Sequence, residues 1–253
     1  MANQELRAHQ LRAVEAMKVL DSICSENGIR YFMIAGSALG AVRHKGFIPW
    51  DDDIDIVMTM DQFHQFLQIA PQSIRSPYRW RHTSVDDRYP TLSGGIYYGD
   101  DEPLITVFPL VKLSDRPLER QLQWAVRKVM SPVWQRKVGY HVPPERMNAK
   151  QRFSIAVSTV LAAVIPKRTV LQILRNNEVK YEDRDVQWYC NIYSKYSREK
   201  ESIRSEWVKE TMRVEFEHEQ FPIVKEYDAY LKHLYGDYMT PPPEAERNPE
   251  HLL

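Results

Sequence analysis
The sequence predicts an α/β (α+β) protein: a mixed sheet core with an N-terminal helix and additional helical segments. Three observations predict it. Leu6, Leu11, Val14, Met17, Leu20 and Cys24 recur at steps of three to five, the period of an amphipathic helix over residues 5–26. Residues 53–58 (DIDIVM) alternate with period two, the pattern of a strand. Residues 118–138, 152–165 and 169–176 are helical in pattern and fill the middle of the chain. The whole reads as one unit over 1–253, with a core at about 5–113 and 187–239 and a basic helical insertion at about 114–186.

The elements follow in order. Asn27-Gly28 ends the first helix, and residues 29–35 (IRYFMIA) form a buried strand. Gly36-Ser37 breaks that strand, residues 38–42 make a short helix, and 44–52 form a loop containing Gly46 and Pro49. After the 53–58 strand, Asp61 is placed to cap a helix running to about Ala70. Residues 78–83 and 104–113 are strands, flanked by Gly94-Gly95 and by Gly99-Asp100-Asp101. Pro132 is expected to kink or divide the 118–138 helix, and Pro166 separates the next two. Residues 187–193 and 212–216 are strand candidates, 223–235 is a helix ended by Gly236, and the tail from Thr240 is extended.

Composition excludes several classes. The 253 residues carry 34 Lys+Arg and 34 Asp+Glu, so the chain is not held to nucleic acid by excess positive charge. Cys24 and Cys190 are too few for a disulfide framework or a thiolate zinc site. The start, MANQELRAHQLR, lacks the apolar run of a secretory signal. The longest nearly uncharged apolar stretch, 153–165, falls short of the roughly 20 residues that span a bilayer. A cytoplasmic protein is expected, with peripheral contact at the inner face of the membrane left open.

The chemistry concentrates in residues 35–57 (AGSALGAVRHKGFIPWDDDIDIV). Alternation puts Asp53 and Asp55 on one strand face, with Asp51 on the same parity and Asp52 pointing elsewhere. Adjacent carboxylates in an apolar setting stay ionised only beside a cation, and hard oxygen ligands suit Mg²⁺ or Mn²⁺. Gly36 and Ser37, ahead of a helix, form an anion-binding turn. Arg43, His44 and Lys45 follow, placed to meet phosphate oxygens, with Arg43 the best bidentate group. Trp50, Tyr97 and Tyr98 are either aromatic walls of the site or packing residues.

This segment resembles the signature of the LicD family, to which fukutin and fukutin-related protein are distantly related. A second resemblance runs through Tyr227-Asp228, Leu231 and Tyr235-Gly236-Asp237-Tyr238-Met239, with Pro242 and Pro243 after it. The resemblance implies a nucleotidyltransferase-like mixed sheet. It also implies metal-dependent transfer of a phospho-substituted alcohol, such as phosphocholine, from a CDP-activated donor to a hydroxyl of a glycan or lipid-linked glycan acceptor. The glycan is a precursor of lipopolysaccharide, teichoic acid or capsule, and CMP is released. By the same resemblance Asp53 and Asp55 are metal carboxylates, Gly36 and Ser37 belong to the phosphate turn, and Arg43, His44 and Lys45 to the basic segment. One position departs from the pattern. The family carries an Asp in its Ile-Asp-Ile/Val-Phe-Pro-Leu strand, and here Thr106 stands in Ile105-Thr106-Val107-Phe108-Pro109-Leu110. A threonine supplies no negative charge at neutral pH. Either Asp51, Asp100, Asp101 or Glu102 substitutes, or activity is weakened and the chain binds nucleotide or glycan without turnover. A nucleotidyltransferase moving NMP from an NTP is the other enzymatic reading.

Charge is uneven despite the zero sum. Residues 112–168 hold twelve Lys+Arg against three acids, and residues 199–253 hold thirteen acids against seven bases. The basic middle, with its apolar 153–165 stretch, suits either an anionic membrane surface or a helical subdomain with a solvated face.

Overall fold
The computed structural model describes residues 2–140, 149–194, 196–243 and 247. His141, Glu145, Arg146, His251 and most of the tail beyond Pro243 lie outside the described residues, as do the side chains of Lys150 and Phe153. The first half runs α1 (Ala2–Glu26), β1 (Phe32–Met33), α2 (Ala35–His44), β2 (Ile54–Thr59), α3 (Met60–Ser73), β3 (Tyr78–Arg81), β4 (Gly94–Tyr98) and β5 (Glu102–Leu113). The second runs α4 (Pro117–Lys137), α5 (Ala149–Val164), α6 (Lys167–Glu178), β6 (Trp188–Cys190), α7 (Arg198–Glu201), β7 (Ser202–Arg204), α8 (Ser205–Val208), β8 (Thr211–Phe216), β9 (Glu219–Val224) and α9 (Tyr227–Tyr235).

The main sheet is mixed, in the order β1-β2-β5-β4-β3, with β6 and β7 extending from the far end of β5. Only β2 and β5 are parallel, and their register sets Asp55 beside Thr106. β2 sits at the centre because its apolar residues leave water: Ile54, Ile56, Val57 and Met58 are all fully buried. α1 presents Ala13, Ala16, Met17, Leu20 and Cys24 to the same core, whereas Leu11, at 49% exposure, faces solvent. Helices α4 and α6 close a satellite core around Val133, Trp134, Val170 and Leu174, with Trp134 Nε1 donating to the Tyr89 carbonyl.

Several expectations from sequence are corrected. The 29–35 strand shrinks to Phe32–Met33 because α2 begins at Ala35, so Gly36-Ser37 form the first turn of that helix rather than a break before it. Gly94-Gly95 open strand β4. The Trp80 ring lies across Gly94, where a Cβ would come 1.9 Å from a ring carbon, so packing requires the missing side chain here. The expected 223–235 helix divides. Ile223 and Val224 finish β9, buried against the core, and α9 starts at Tyr227, with Gly236 ending it at φ 74°. Thr59, not Asp61, occupies the α3 cap position, and its hydroxyl donates to the Asp61 carboxylate. Pro132 lies inside α4 without dividing it into two helices.

Candidate active site
The loop of residues 45–53 connects α2 to β2 and is pinned from three sides. From α1, buried Gln10 donates to the Asp51 carbonyl at 2.8 Å, and buried His9 reaches the Asp52 carbonyl through Nε2 at 2.5 Å. From the β8–β9 turn, Glu217 accepts the Phe47 N–H at 3.1 Å and donates its own N–H to the Lys45 carbonyl at 2.8 Å. Within the loop, the Asp51 N–H bonds the Ile48 carbonyl at 2.9 Å. A buried loop needs these partners for its main-chain groups, and they fix where the aspartates stand.

Beside this loop lies a cavity of about 390 Å³. Gly36 and Ser37 of α2, Arg43, Trp50, Asp51, Asp53 and Asp55 line it, together with Tyr196, Tyr235, Asp237, Tyr238 and Thr240 from the distant second half of the chain. The two segments that carry the family resemblance therefore face one cavity. Carboxylate oxygens of Asp51, Asp52 and Asp53 lie within 4.8 Å of one another, and Asp55 stands on the cavity wall outside that triple. The sequence pattern had pointed Asp52 elsewhere. Side-chain parity holds only within a strand, β2 begins at Ile54, and the turn at Ile48–Asp51 brings the fully buried Asp52 back to its neighbours. Three carboxylates this close repel unless a cation joins them, and an all-oxygen donor set fits Mg²⁺ or Mn²⁺.

The first turn of α2 meets these acids directly. A Cβ on Gly36 would sit 2.6 Å from Asp51 Oδ2, so the helix N-terminus faces a carboxylate of the chain itself, a favourable charge–dipole arrangement. Ser37 is buried, and its Oγ accepts the Asp55 N–H at 2.8 Å, tying α2 to the start of β2. Arg43 reaches the cavity. Its Nη1 donates to the Tyr238 carbonyl at 2.8 Å and its Nε to His44 Nε2 at 2.9 Å. Burial lowers the pKa of Arg43, nearby Tyr235 works against that, and Arg247 adds to it. His44 is itself shifted down by burial and by the Arg43 charge; its Nε2 accepts from Arg43, and the residue is not among those lining the cavity. Lys45 points away from the cavity toward Glu215, 3.4 Å distant.

The aromatic expectations divide. Trp50 lines the cavity and carries the Arg247 guanidinium over its ring, 5.2 Å from the centroid. Tyr97 and Tyr98 do not line it; on β4 they stack under Arg81 and Arg12. Tyr196, Tyr235 and Tyr238 take the place expected for them. Of the acids considered as substitutes at Thr106, Asp100 pairs with Arg79 at 2.6 Å and Asp101 is exposed. Glu102 is bound by Arg12 and His9, and only Asp51 among the four lines the cavity. Thr106 itself sits directly beside Asp55 across the β2–β5 pair.

Sequence reasoning did not find the supports His9, Gln10 and Glu217, nor Tyr196 on the wall, and it marked Asp237 only as part of the C-terminal resemblance. The first four meet the site through contacts far apart along the chain, and no spacing marks them.

A family model described as LicD/FKTN/FKRP, nucleotidyltransferase domain, matches residues 28–96, the segment from the turn after α1 to β4. The lipopolysaccharide cholinephosphotransferase LicD of Haemophilus influenzae is 25% identical over 269 aligned positions, covering all of this chain and 98% of that protein. This chain is similar to the LicD family along residues 28–96 and to one LicD protein along its full length. Other matches are shorter. An uncharacterised protein of Rickettsia typhi is 42% identical over 76 residues, 30% of this chain and 24% of that one. The human ribitol 5-phosphate transferase FKRP is 43% identical over 47 residues, 18% of this chain and 10% of that protein. The LicD-family match thus spans α2, the aspartate loop and β2, the elements that build one side of the cavity.

Proposed function
We propose that this chain transfers a phospho-substituted alcohol from a CDP-activated donor to a hydroxyl of a cell-surface glycan precursor and releases CMP, acting in the cytoplasm. The observation that carries this reading is the convergence of Asp51, Asp53, Asp55 and Arg43 on one cavity, with Asp52 completing a carboxylate triple. Asp51, Asp52 and Asp53, with Asp55 beside them, would hold Mg²⁺ or Mn²⁺, which when bound offsets the negative charge of the donor's phosphates. The coarse reaction follows the relatives, one named a cholinephosphotransferase and another a ribitol 5-phosphate transferase.

The chain's own groups do the positioning. The acceptor hydroxyl oxygen bonds to the phosphorus remote from the nucleoside, the bridging P–O bond breaks, the electron pair leaves with CMP, and the hydroxyl proton passes to the departing phosphate or to solvent. Arg43, held in plane by His44 and the Tyr238 carbonyl, aims its guanidinium at the departing phosphate. Catalysis of this kind is mostly orientation and preorganised charge. Support for a cationic alcohol such as choline comes from Trp50, whose ring already carries a guanidinium.

Asp53→Asn tests the reading. It is expected to abolish CMP release while leaving the circular dichroism spectrum unchanged, and near-normal turnover would overturn the metal role. A second reading, binding of the donor without turnover, is favoured by Thr106 beside Asp55. Tight binding of a CDP-alcohol with no CMP release would select it. Pyrophosphate released from an NTP would instead select nucleotidyl transfer.

A further inference from the structure
Helix α5 presents an apolar face to solvent. Its residues 154–164 contain no charged side chain. Val157, Val160 and Val164, spaced i, i+3 and i+7, share one face and are 39%, 66% and 73% exposed. On α4, which packs against α5, Leu118 and Leu122 lie one turn apart and are 77% and 59% exposed. These five side chains are not the stripe that holds the helices together, because Val133 and Trp134 of α4 already bury that face against Val170 and Leu174 of α6. Single exposed aliphatic residues are ordinary, but this many on two neighbouring helices mark an interaction surface.

The charges around the patch indicate its partner. Lys128 on α4, Arg152 on α5 and Arg168 at the start of α6 are exposed and meet no acidic group among the described residues. Of the described acids near these helices, Glu119 is taken by Arg116 and Arg184, and Asp87 by Lys167. Exposed aliphatic side chains on helices that also carry exposed bases with no acidic partner complement an anionic lipid surface better than they do another protein's apolar core. Length decides between lying on the bilayer and crossing it. α5 has 16 residues, about 24 Å of helix, against a hydrocarbon core of about 30 Å. It cannot continue into α6 as one span, because the two helices meet at 117°. Among the described residues, no single helix is long and apolar enough to cross a membrane.

We propose that the α4–α5 face docks this protein on anionic bilayers, with α5 lying in the interfacial plane. The three valines enter the acyl boundary, and Lys128, Arg152 and Arg168 meet lipid phosphates. This inference does not depend on the catalytic reading, since none of its residues lines the cavity.

The test is sedimentation of the full chain with phosphatidylcholine vesicles, with and without phosphatidylglycerol. Binding is expected to the anionic vesicles, and to weaken by about tenfold or more in neutral vesicles or when salt is raised to about 0.5 M. Val160→Asp with Val164→Asp is expected to remove binding while the melting temperature and solution mass stay those of the parent. Arg152→Gln with Arg168→Gln is expected to weaken binding to anionic vesicles alone. Equal binding to neutral and anionic vesicles, or unchanged binding by the Asp variant, would overturn the proposal. So would a parent dimer that the Asp variant dissociates without any vesicle binding, which would make the face a contact between two copies.

Discussion

Replacing Gly36 with alanine adds one methyl group at the point where α2 meets the aspartate loop. That methyl carbon would stand 2.6 Å from Asp51 Oδ2, so the carboxylate must retreat by about 0.8 Å to regain ordinary contact. The backbone of Asp51 cannot follow, because Gln10 holds its carbonyl at 2.8 Å and Ile48 its N–H at 2.9 Å. The side chain must therefore rotate out of the triple. Metal–ligand distances tolerate only about 0.2 Å, and disturbing the residues that orient a ligand costs about 10–100-fold in affinity. The fold should not suffer, since alanine is the better helix residue by up to about 1 kcal/mol. Titration with Mn²⁺, followed by calorimetry, is expected to show affinity falling by about 10–100-fold at an unchanged or slightly raised melting temperature. Parental Mn²⁺ affinity in Gly36→Ala would refute the placement of Asp51 among the ligands, and a collapse of the melting temperature would refute the account of why glycine is there.

Gly94→Ala drives a Cβ into the Trp80 ring and is expected to destabilise the sheet by about 1–3 kcal/mol, read as a lowered melting temperature. Thr106→Asp adds a carboxylate beside Asp55 and is expected to raise metal affinity and CMP release; no gain over a fully active parent would show that the position plays no part here. Glu178 is buried, and burial raises its carboxyl to about 8 against the Tyr193 hydrogen bond and the Arg175 charge. The folded state therefore holds a proton that the unfolded chain releases above about 4.5, so stability falls as pH rises from there to about 8. Glu178→Gln, which can still accept from Tyr193, is expected to flatten that slope by an amount on the order of a few kcal/mol, and an unchanged slope in melting temperature against pH would reject the assignment.

The sequence made the centre of the molecule legible because its pattern there is local. The alternation of Ile54 and Ile56 with Asp55 defines β2, and the run from Gly36 to Asp55 places Gly36-Ser37, Arg43 and the acids next to one another along the chain. Legibility fails where geometry is set by other segments. Asp52 joins the triple because His9 and the Ile48 carbonyl shape a loop in which strand parity does not apply. His44 is near the phosphate site by sequence yet spends its Nε2 on Arg43, and Lys45, at a left-handed φ of 55° that ends α2, turns toward β8. The reason for Gly94 is not legible, because sequence cannot show that a tryptophan ring lies across it. Tyr196 and Asp237 reach the cavity only through the packing of the last third of the chain against α2.

The central claim is that the cavity between α2, the aspartate loop and the 235–242 segment transfers a phospho-alcohol from a CDP-linked donor. Its most direct test is incubation of the full chain with CDP-choline, CDP-ribitol and CDP-glycerol in Mg²⁺, with a glycan acceptor present, following the nucleotide released. The account predicts CMP from at least one donor, lost in Asp53→Asn and on chelation of the metal. Pyrophosphate from CTP with no CMP from any donor would contradict it.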